Sequence, residues 1–283
     1  MQELSSILED CGVIANRYER VHGGDVNESF CIYTKEEKYF LKINDALKYP
    51  AMFEQEAIGL NALKNNFELL VPCVIKTGAV GDKQYLLLEW ITKGATSKDF
   101  WQTFGVALAK MHKQQQNFFG WDTNNYIGSL PQDNTIQQNW HSFFVESRVM
   151  PLVKYLVDNR SSSKQDVVIA ENFCKNVEHI FPEEPASLLH GDLWSGNFMI
   201  ANTGVATIFD PAVYCGHREM DIGMTKLFGG FHQHFYDAYN EEYPLEKNWQ
   251  RRIDITQLYP LLVHACLFGG HYIQSARSIM QSI

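Results

Sequence analysis

The alternation of apolar and polar residues divides the chain into a strand-rich first part and a helical remainder. Residues 28–34 and 38–44 are β-branched and aromatic runs separated by a short charged turn, which predicts a β-hairpin. Apolar residues then recur every three or four positions over 52–63 and predict a helix, and two further strands are predicted over 73–80 and 84–91. The predicted order is strand, strand, helix, strand, strand.

The period of the apolar residues becomes helical after residue 91. Helices are predicted over 97–116, 139–159 and 166–180. Two short apolar runs, 197–201 and 205–210, flank a polar turn and predict one hairpin. The later part of the chain is therefore predicted to be mainly α-helical.

This change of pattern gives the domain division. At about 150 residues per domain, a chain of 283 residues accommodates two domains or one unit with two lobes. We predict an α+β fold in which residues 1–91 form a small N-terminal lobe, an antiparallel sheet with one helix. Residues 92–283 are predicted to form a larger, mainly helical C-terminal lobe.

Composition and charge narrow the classes of partner. Apolar residues make up 45% of the chain and charged residues 20%, as in ordinary globular proteins. The chain has 24 lysines and arginines against 33 aspartates and glutamates, and its formal charge of -9 has the wrong sign for binding phosphate backbones or anionic lipids. We therefore expect no nucleic-acid partner and no membrane association, and a cationic or amine-bearing ligand suits this field better.

The cysteines and the apolar stretches favour a cytoplasmic protein. The six cysteines include no CxxC pair and no zinc-type spacing with histidine, which predicts reduced thiols. The N-terminal residues combine acidic side chains with apolar residues at helical spacing, unlike a signal peptide. The apolar stretch 258–270 is interrupted by Pro260 and His264 and is shorter than the ~20 residues that span a bilayer, so it predicts a buried helix.

The segment 190–197, of sequence HGDLWSGN, carries most of the chemical information. Asp192 precedes Asn197 by five residues, and Asp210 follows thirteen residues later at the end of a predicted strand. This is the arrangement of the catalytic loop and the metal-binding aspartate in kinases. Phosphoryl transfer needs a carboxylate beside the acceptor hydroxyl and oxygen ligands for magnesium. Asp192 is therefore predicted as the catalytic base, and Asn197 and Asp210 as metal ligands.

A lysine and a glutamate in the first part of the chain fit the same chemistry. Lys42 lies within an apolar strand, where a lysine needs an anionic partner. On a helical wheel, Glu56 falls within the apolar stripe of the helix over 52–63, whereas Glu54 falls on the far side. Kinases pair a strand lysine with a helix glutamate to position the α- and β-phosphates, so we predict an ion pair between Lys42 and Glu56.

Two further segments are candidates for nucleotide binding. Gly23 and Gly24 precede the first predicted strand and can form a turn whose amides approach phosphate, although adjacent glycines also mark ordinary turns. The predicted strand over 84–91 ends at the domain boundary. The backbone of Glu89, Trp90 and Ile91 is therefore predicted to contact adenine.

Five other residues are interpreted from their position near this chemistry. His190 is expected to fix the loop by hydrogen bonding, and His112, on the apolar face of a helix, to be a core histidine. Asp221 is expected to accept hydrogen bonds from loop amides. Trp194 fits both a stacking contact with substrate and a structural plug, and together with His217 it is a candidate for substrate binding.

With these residues in place, the chain resembles the fructosamine (ketosamine) kinase family, a branch of the aminoglycoside-phosphotransferase-like kinases. The resemblance covers nearly the whole length. It rests on Gly23-Gly24 with Asn27-Glu28, Phe40-Leu41-Lys42, Phe53 with Glu56, Phe119-Gly120-Trp121, Asn125-Tyr126-Ile127-Gly128, Pro131-Gln132, Trp140 with Phe143 and Arg148, Leu189 to Asn197, and Tyr214 with Gly216 to Asp221.

The resemblance implies a two-lobed protein-kinase-like fold that transfers the γ-phosphate of ATP, with Mg²⁺, to the C3 hydroxyl of a ketoamine. The product is an unstable adduct that can eliminate phosphate and free the amine, which is deglycation. By residue-wise carry-over, Asp192 is the base, Asn197 and Asp210 hold the metal, Lys42 holds phosphates, and residues 89–91 meet adenine. The expected substrate is a small ketoamine of the fructosamine or ribulosamine type or a glycated protein lysine, and a monomer is expected.

Two alternative functions remain, one of the same reaction class and one of another class. A kinase for another amine alcohol, such as choline or an aminoglycoside, would share the fold and the chemistry and differ in the acceptor pocket. The Asn-Tyr-Ile-Gly loop and the Trp-Ser-Gly-Asn form of the catalytic loop argue against it. A non-catalytic nucleotide-binding scaffold would lack Asp192, Asn197, Asp210 or Lys42, and all four are present.

Overall fold

The computed structural model describes residues 2–21, 26–64 and 68–283 of the chain. The strands are β1 Arg17–Val21, β2 Glu28–Tyr33, β3 Lys38–Asp45, β4 Val74–Val80, β5 Lys83–Glu89, β6 Gln115–Gln116, β7 Asn125–Ile127, β8 Leu130–Gln132, β9 Ala186–Leu189, β10 Phe198–Ile200, β11 Ala206–Ile208 and β12 Tyr214–Gly216.

The α-helices are α1 Gln2–Cys11, α2 Met52–Leu63, α3 Phe100–His112, α4 Trp140–Phe143, α5 Met150–Asp158, α6 Lys164–Asn176, α7 Glu219–Leu227, α8 Gln233–Glu242, α9 Ile253–Phe268 and α10 His271–Gln281. A π-helical segment, Phe144–Val149, connects α4 to α5, and short 3₁₀ segments cover Val177–His179 and Trp249–Arg252.

The chain forms two compact units. The first contains Met1–Ser97 and Met199–Asp210, and the second contains Lys98–Phe198 and Pro211–Ile283. The first holds an antiparallel sheet with the strand order β1-β2-β3-β5-β4, together with α1 and α2, whereas the second is mainly helical. The α+β architecture predicted from the sequence is confirmed.

The first unit includes a strand that the sequence did not predict. Strand β1 pairs with β2 in the register Arg17↔Tyr33 to Val21↔Ser29 and forms one edge of the sheet. Four of its five residues are exposed, so it lacks the apolar alternation that indicates a strand. Charged side chains on an exposed edge also oppose pairing with another chain.

The hairpin of β10 and β11 belongs mostly to the first unit, although in sequence it comes after residues 98–198 of the second unit. Backbone hydrogen bonds hold it there: Leu70 N–H donates to Ala206 O at 2.9 Å, Ile208 N–H donates to Leu70 O at 2.9 Å, and Gly94 N–H donates to Ile200 O at 2.8 Å. The predicted division at residues 91 and 92 therefore differs from the compact units. Asp210, at the end of this hairpin, is carried by the first unit.

The second unit has an aromatic core in which α3 packs closely on α8. At Gly105 a Cβ would lie 2.2 Å from the carbonyl oxygen of Phe235, so only glycine permits this approach. Helix α9 covers residues 258–268 of the stretch predicted as a buried helix, and Leu258, Pro260 and Leu262 within it are buried. Across the described ranges, every helix is too short or too polar to cross a membrane.

Candidate active site

The first unit brings together a buried lysine and two carboxylates. Lys42 lies on β3, the central strand of the sheet, and its side chain is 4% exposed. Its Nζ lies 2.6 Å from Glu56 Oε1 on α2 and also donates to Asp210 Oδ1. Glu54, two residues earlier on the same helix, is exposed. The predicted ion pair between Lys42 and Glu56 is therefore confirmed, and Asp210 joins it.

The charge of Lys42 is stabilised within this group. Burial alone would lower the pKa of the ammonium, but the negative charges of Asp210 and Glu56 outweigh it and raise the pKa of Lys42 above its ordinary value. The lysine is therefore protonated at neutral pH. A fixed cation at this position suits the binding of phosphate oxygens.

Asp210 occupies an unusual backbone conformation. Its φ is +55°, in the left-handed region that few non-glycine residues adopt. Such conformations occur where surrounding structure holds them, and they concentrate at functional sites. The side chain of Asp210 is 42% exposed, so its carboxylate contacts Lys42 and also reaches solvent.

The second unit holds the loop that contains Asp192. The loop begins where β9 ends, and its first backbone amides are bound by a buried carboxylate on α7. His190 N–H donates to Asp221 Oδ2 at 2.8 Å, and Gly191 N–H donates to Asp221 Oδ1 at 2.9 Å. This confirms the expected role of Asp221.

A core histidine orients Asp221 in turn. His112 is 0% exposed, its Nε2 lies 3.2 Å from Asp221 Oδ2, and its Nδ1 lies 2.8 Å from the hydroxyl of Tyr239. Burial lowers the pKa of His112, so the ring is neutral. Although burial raises the pKa of Asp221, the hydrogen bonds that it accepts from His112 and from the Gly191 amide favour the ionised form, and its net pKa is lowered. An ionised Asp221 accepts both loop amides, with Nε2–H of His112 as a further donor.

Gly191 allows the loop to pass close to the segment after Asp210. Its φ is +83°, and a Cβ at this position would lie 2.0 Å from Ala212 O. Ala212 N–H donates to His190 O at 2.9 Å. The backbone before Asp192 is thus held on two sides, by Asp221 and by Ala212.

Asp192 and Asn197 are in direct contact. Asn197 Nδ2 donates to Asp192 O at 2.8 Å and to Asp192 Oδ2 at 3.0 Å. Because the nitrogen of the amide is directed at Asp192, a cation at Asn197 would be held by Oδ1. Amide and carboxylate oxygens are the ligands that magnesium prefers, so Asn197 in the second unit and Asp210 in the first fit the predicted metal in chemical type.

The two candidates for substrate contact lie in different environments. Trp194 is 37% exposed, and its ring packs edge-on against Phe228 with the centroids 5.9 Å apart. His217 is 1% exposed, lies between the rings of Trp140 and Phe181, and has Nε2 3.2 Å from Glu184 Oε1. A side chain without accessible surface does not reach a ligand, so the structure supports a packing role for His217.

This placement predicts how a His217→Gln variant behaves. Burial, followed by the charges of Arg218 and Arg252, lowers the pKa of His217 to about 3, against an ordinary value of 6.5. The unfolded chain therefore takes up a proton at this position between pH 6.5 and pH 3 that the folded chain does not. Because of His217, the free energy of unfolding is highest above pH 6.5 and falls by about 1.4 kcal/mol for each pH unit between pH 6.5 and pH 3.

We expect His217→Gln to make the free energy of unfolding, measured by urea denaturation, depend less steeply on pH between 6.5 and 4. The KM for the phosphoryl acceptor should stay within about 2-fold, because the side chain is buried. His179→Gln, which replaces an exposed histidine, serves as the control. A large rise in KM for the His217 variant would restore the substrate-binding role.

The segments expected to bind nucleotide remain predictions. Glu89 ends β5, and its N–H donates to Cys73 O at 2.9 Å, while its Oε2 accepts from Cys73 N–H at 3.2 Å. The Trp90 ring lies 6.3 Å from that of Phe40. Gly23 and Gly24 lie outside the described residues.

A group of buried amides next to the loop had no predicted role. We refer to Asn125, Gln132 and Asn134 as the amide cluster, and they are 8%, 2% and 1% exposed. Asn125 and Gln132 face each other across the β7–β8 pair. Asn125 and Gln132 stand out in the sequence only as parts of family motifs, because the carbonyl groups that they bind lie far away in the chain.

Comparisons with known proteins place the chain in a family. A model of the fructosamine kinase family matches residues 2–283. A probable ketoamine kinase of Synechocystis is 38% identical over 262 residues, which cover 92% of this chain and 88% of that protein. The chloroplastic protein-ribulosamine 3-kinase of Arabidopsis thaliana is 36% identical, over 92% of this chain and 80% of the relative.

Solved structures agree. The crystal structure of a putative fructosamine-3-kinase of Thermobifida fusca has a TM-score of 0.88 and 32% identity, over 98% of this chain and 96% of that one. An aminoglycoside phosphotransferase crystallised with ADP and hygromycin B has a TM-score of 0.63 at 13% identity, a likeness of fold alone. The predicted kinase-like fold is thus confirmed, and the chain belongs to the fructosamine kinase family.

Proposed function

We propose that this protein transfers the γ-phosphate of ATP to the C3 hydroxyl of a ketoamine. The observation that carries the proposal is the loop in which Asp192 contacts Asn197 while Asp221 binds the preceding amides. Membership of the family and relatives named ketoamine kinase and ribulosamine 3-kinase supply the substrate class.

The proposed reaction assigns one task to each group. Asp192 accepts the proton of the C3 hydroxyl, whose oxygen attacks the γ-phosphorus as the bond to the β-phosphate oxygen breaks and ADP leaves. Lys42, held by Glu56, binds phosphate oxygens. Magnesium, bound by Asn197 and Asp210, would supply positive charge that neutralises the phosphates. The backbone of residues 89–91 is proposed to bind adenine.

Phosphorylation at C3 has a chemical consequence for the substrate. A phosphate on the carbon beside the ketoamine carbonyl is a good leaving group. Its elimination leaves an imine beside the carbonyl, which water hydrolyses to a dicarbonyl and the free amine. We therefore propose that the activity serves deglycation, of free ketoamines or of glycated lysine in proteins. We also propose that the enzyme is a cytoplasmic monomer, which agrees with its six free cysteines.

The kinase of another amine alcohol remains the second candidate. The fold is shared with an aminoglycoside phosphotransferase, and the net charge of -9 suits any amine-bearing acceptor. A non-catalytic scaffold is disfavoured because Lys42 is paired with Glu56 and Asp210 in the first unit, and Asn197 contacts Asp192 in the second.

The test is ADP release by the purified protein with ATP, magnesium and a panel of acceptors. We expect turnover with fructosyl-, ribulosyl- or erythrulosyl-amines at least about 10-fold above that with choline or kanamycin. Phosphorus NMR of the product should show a phosphate ester at C3, followed by release of inorganic phosphate. Faster turnover with choline or kanamycin would favour the second candidate, and ATP binding without turnover of any acceptor would favour the scaffold.

A further inference from the structure

The amide cluster lies beside the catalytic loop, and the proposed reaction gives it no task. Within the cluster, Gln132 Nε2 donates to Asn125 Oδ1 at 2.8 Å, and Asn134 Nδ2 donates to the same oxygen at 3.0 Å. Since Asn125 Oδ1 accepts both donors, the orientation of its amide is fixed and its nitrogen must face away.

Two outer residues fix the remaining ends of the cluster. The hydroxyl of Tyr259 donates to Gln132 Oε1 at 2.7 Å, and Arg148 Nη2 donates to Asn134 Oδ1 at 2.7 Å. Arg148 is 0% exposed, and its guanidinium carbon lies 4.2 Å from the centroid of the Tyr214 ring. The amides therefore have one consistent hydrogen-bonding pattern, which makes the cluster rigid.

Two members of the cluster, Gln132 and Asn125, also donate to one backbone segment. Gln132 Nε2 donates to Ala212 O at 3.1 Å, and Asn125 Nδ2 donates to Val213 O at 2.8 Å. Consecutive carbonyl groups are thus held by two side chains from the β7–β8 pair. The position of residues 212 and 213 follows from the position of the amides.

That segment is the surface on which the catalytic loop rests. Ala212 N–H donates to His190 O at 2.9 Å. Ala212 O lies so close to the α-carbon of Gly191 that a Cβ on residue 191 would overlap this oxygen. Gly191 is followed directly by Asp192. A shift of Ala212 would therefore move the backbone that carries the proposed base.

We propose that Gln132 and Asn125 are positioning residues for phosphoryl transfer, which set the orientation of Asp192 through Ala212. This inference rests on the proposed function, in which Asp192 is the base. Asp221 accepts hydrogen bonds from the N–H groups of His190 and Gly191, whereas Ala212 donates to the carbonyl oxygen of His190. By holding Ala212, the amide cluster supplies the second constraint.

The first test is Gln132→Met, which keeps the length of the side chain and removes its hydrogen bonds to Ala212 and Asn125. We expect kcat to fall about 10- to 100-fold, the scale of a small misplacement of a reacting group. The KM values for ketoamine and ATP should stay within about 3-fold. Hydrogen exchange of the amides in residues 190–194 should become faster.

Gln257→Met is the matched control. Gln257 is half-buried, and like Gln132 it donates from Nε2 to a backbone carbonyl, that of Gly223 at 3.0 Å, but it does not hold residues 212–213. We expect its kcat to stay within about 2-fold of the wild type. If Gln132→Met keeps kcat within 2-fold, if its KM values change as much as kcat, or if the control loses as much activity, the proposal is overturned.

Gln132→Glu provides a second test should the methionine variant fold poorly. Its side chain would face two acceptors, Ala212 O and Asn125 Oδ1, and only the protonated carboxyl group could donate, to one of the two. Burial raises the pKa of such a group, so the ratio of its kcat to that of the wild type should rise as pH falls. A ratio that does not change with pH counts against a positioning role.

The outcome is separable from the proposed function. Should the wild type phosphorylate a different alcohol, the same variants are compared on that acceptor, and the proposed substrate class alone fails. Should no acceptor be phosphorylated, the exchange of residues 190–194 decides whether Gln132 holds the loop. Equal exchange in the wild type and in Gln132→Met overturns the inference.

Discussion

Replacing Asp192 by asparagine should lower kcat by about 10²-fold or more, the usual contribution of a positioned general base. Asparagine has nearly the same shape and can still accept the hydrogen bond that Asn197 Nδ2 donates to Asp192 Oδ2, so the loop should keep its conformation. It cannot accept the proton of the substrate hydroxyl. Affinity for ATP, measured by calorimetry, should therefore be unchanged while turnover of the best ketoamine falls.

Asp158→Asn makes the same chemical change at an exposed residue at the end of α5 and should keep full activity. A loss of less than about 3-fold in Asp192→Asn, with normal ATP binding, would show that Asp192 only supports the loop. A loss of ATP binding in parallel with turnover would instead indicate that the substitution disturbs the metal site.

Lys42→Met should lower both activity and stability. Removing a preorganised charged donor to phosphate is expected to reduce kcat/KM for ATP by about 10²-fold. The buried Glu56 also loses its cation, and breaking a buried ion pair costs about 3–5 kcal/mol of unfolding free energy. Steady-state kinetics at varied ATP and urea denaturation measure the two effects.

The double variant Lys42→Met/Glu56→Gln separates the effect on activity from the effect on stability. It removes the unpaired buried carboxylate and should recover part of the stability, whereas activity should stay low. Lys35→Met, in the exposed turn between β2 and β3, is the control for the loss of a lysine. Unchanged ATP kinetics in Lys42→Met would contradict the proposed contact between Lys42 and phosphate.

Features set by local pattern were predictable from the sequence. Strands β2 to β5 and helix α2 follow from the spacing of their apolar residues, and the inward placement of Glu56 follows from the helical period. The ion pair with Lys42 follows because a lone charge in an apolar run needs a partner. These inferences use residues that lie within one or two elements of each other.

Features set by distant pairing were not predictable. Strand β1 carries no apolar alternation and is defined by its hydrogen bonds to β2. The β10–β11 hairpin belongs mostly to the first unit because Leu70 and Gly94 bind it through backbone hydrogen bonds. Such bonds cannot be predicted from the type of residue. Likewise, Gln132 and Asn125 bind carbonyl groups some 80 residues away. The chemistry of an amide does not specify its partner.

The placement of the β10–β11 hairpin affects how the chain folds while it is synthesised on the ribosome. The first unit lacks Met199–Asp210 until these residues are synthesised, roughly 100 residues after Ser97. At about 5–20 residues per second, this interval lasts about 5–20 s. During it the peptide groups of Leu70 have no β11 to bind, and Lys42 has Glu56 but lacks Asp210. We therefore expect the first unit to complete its fold only after the hairpin has been synthesised.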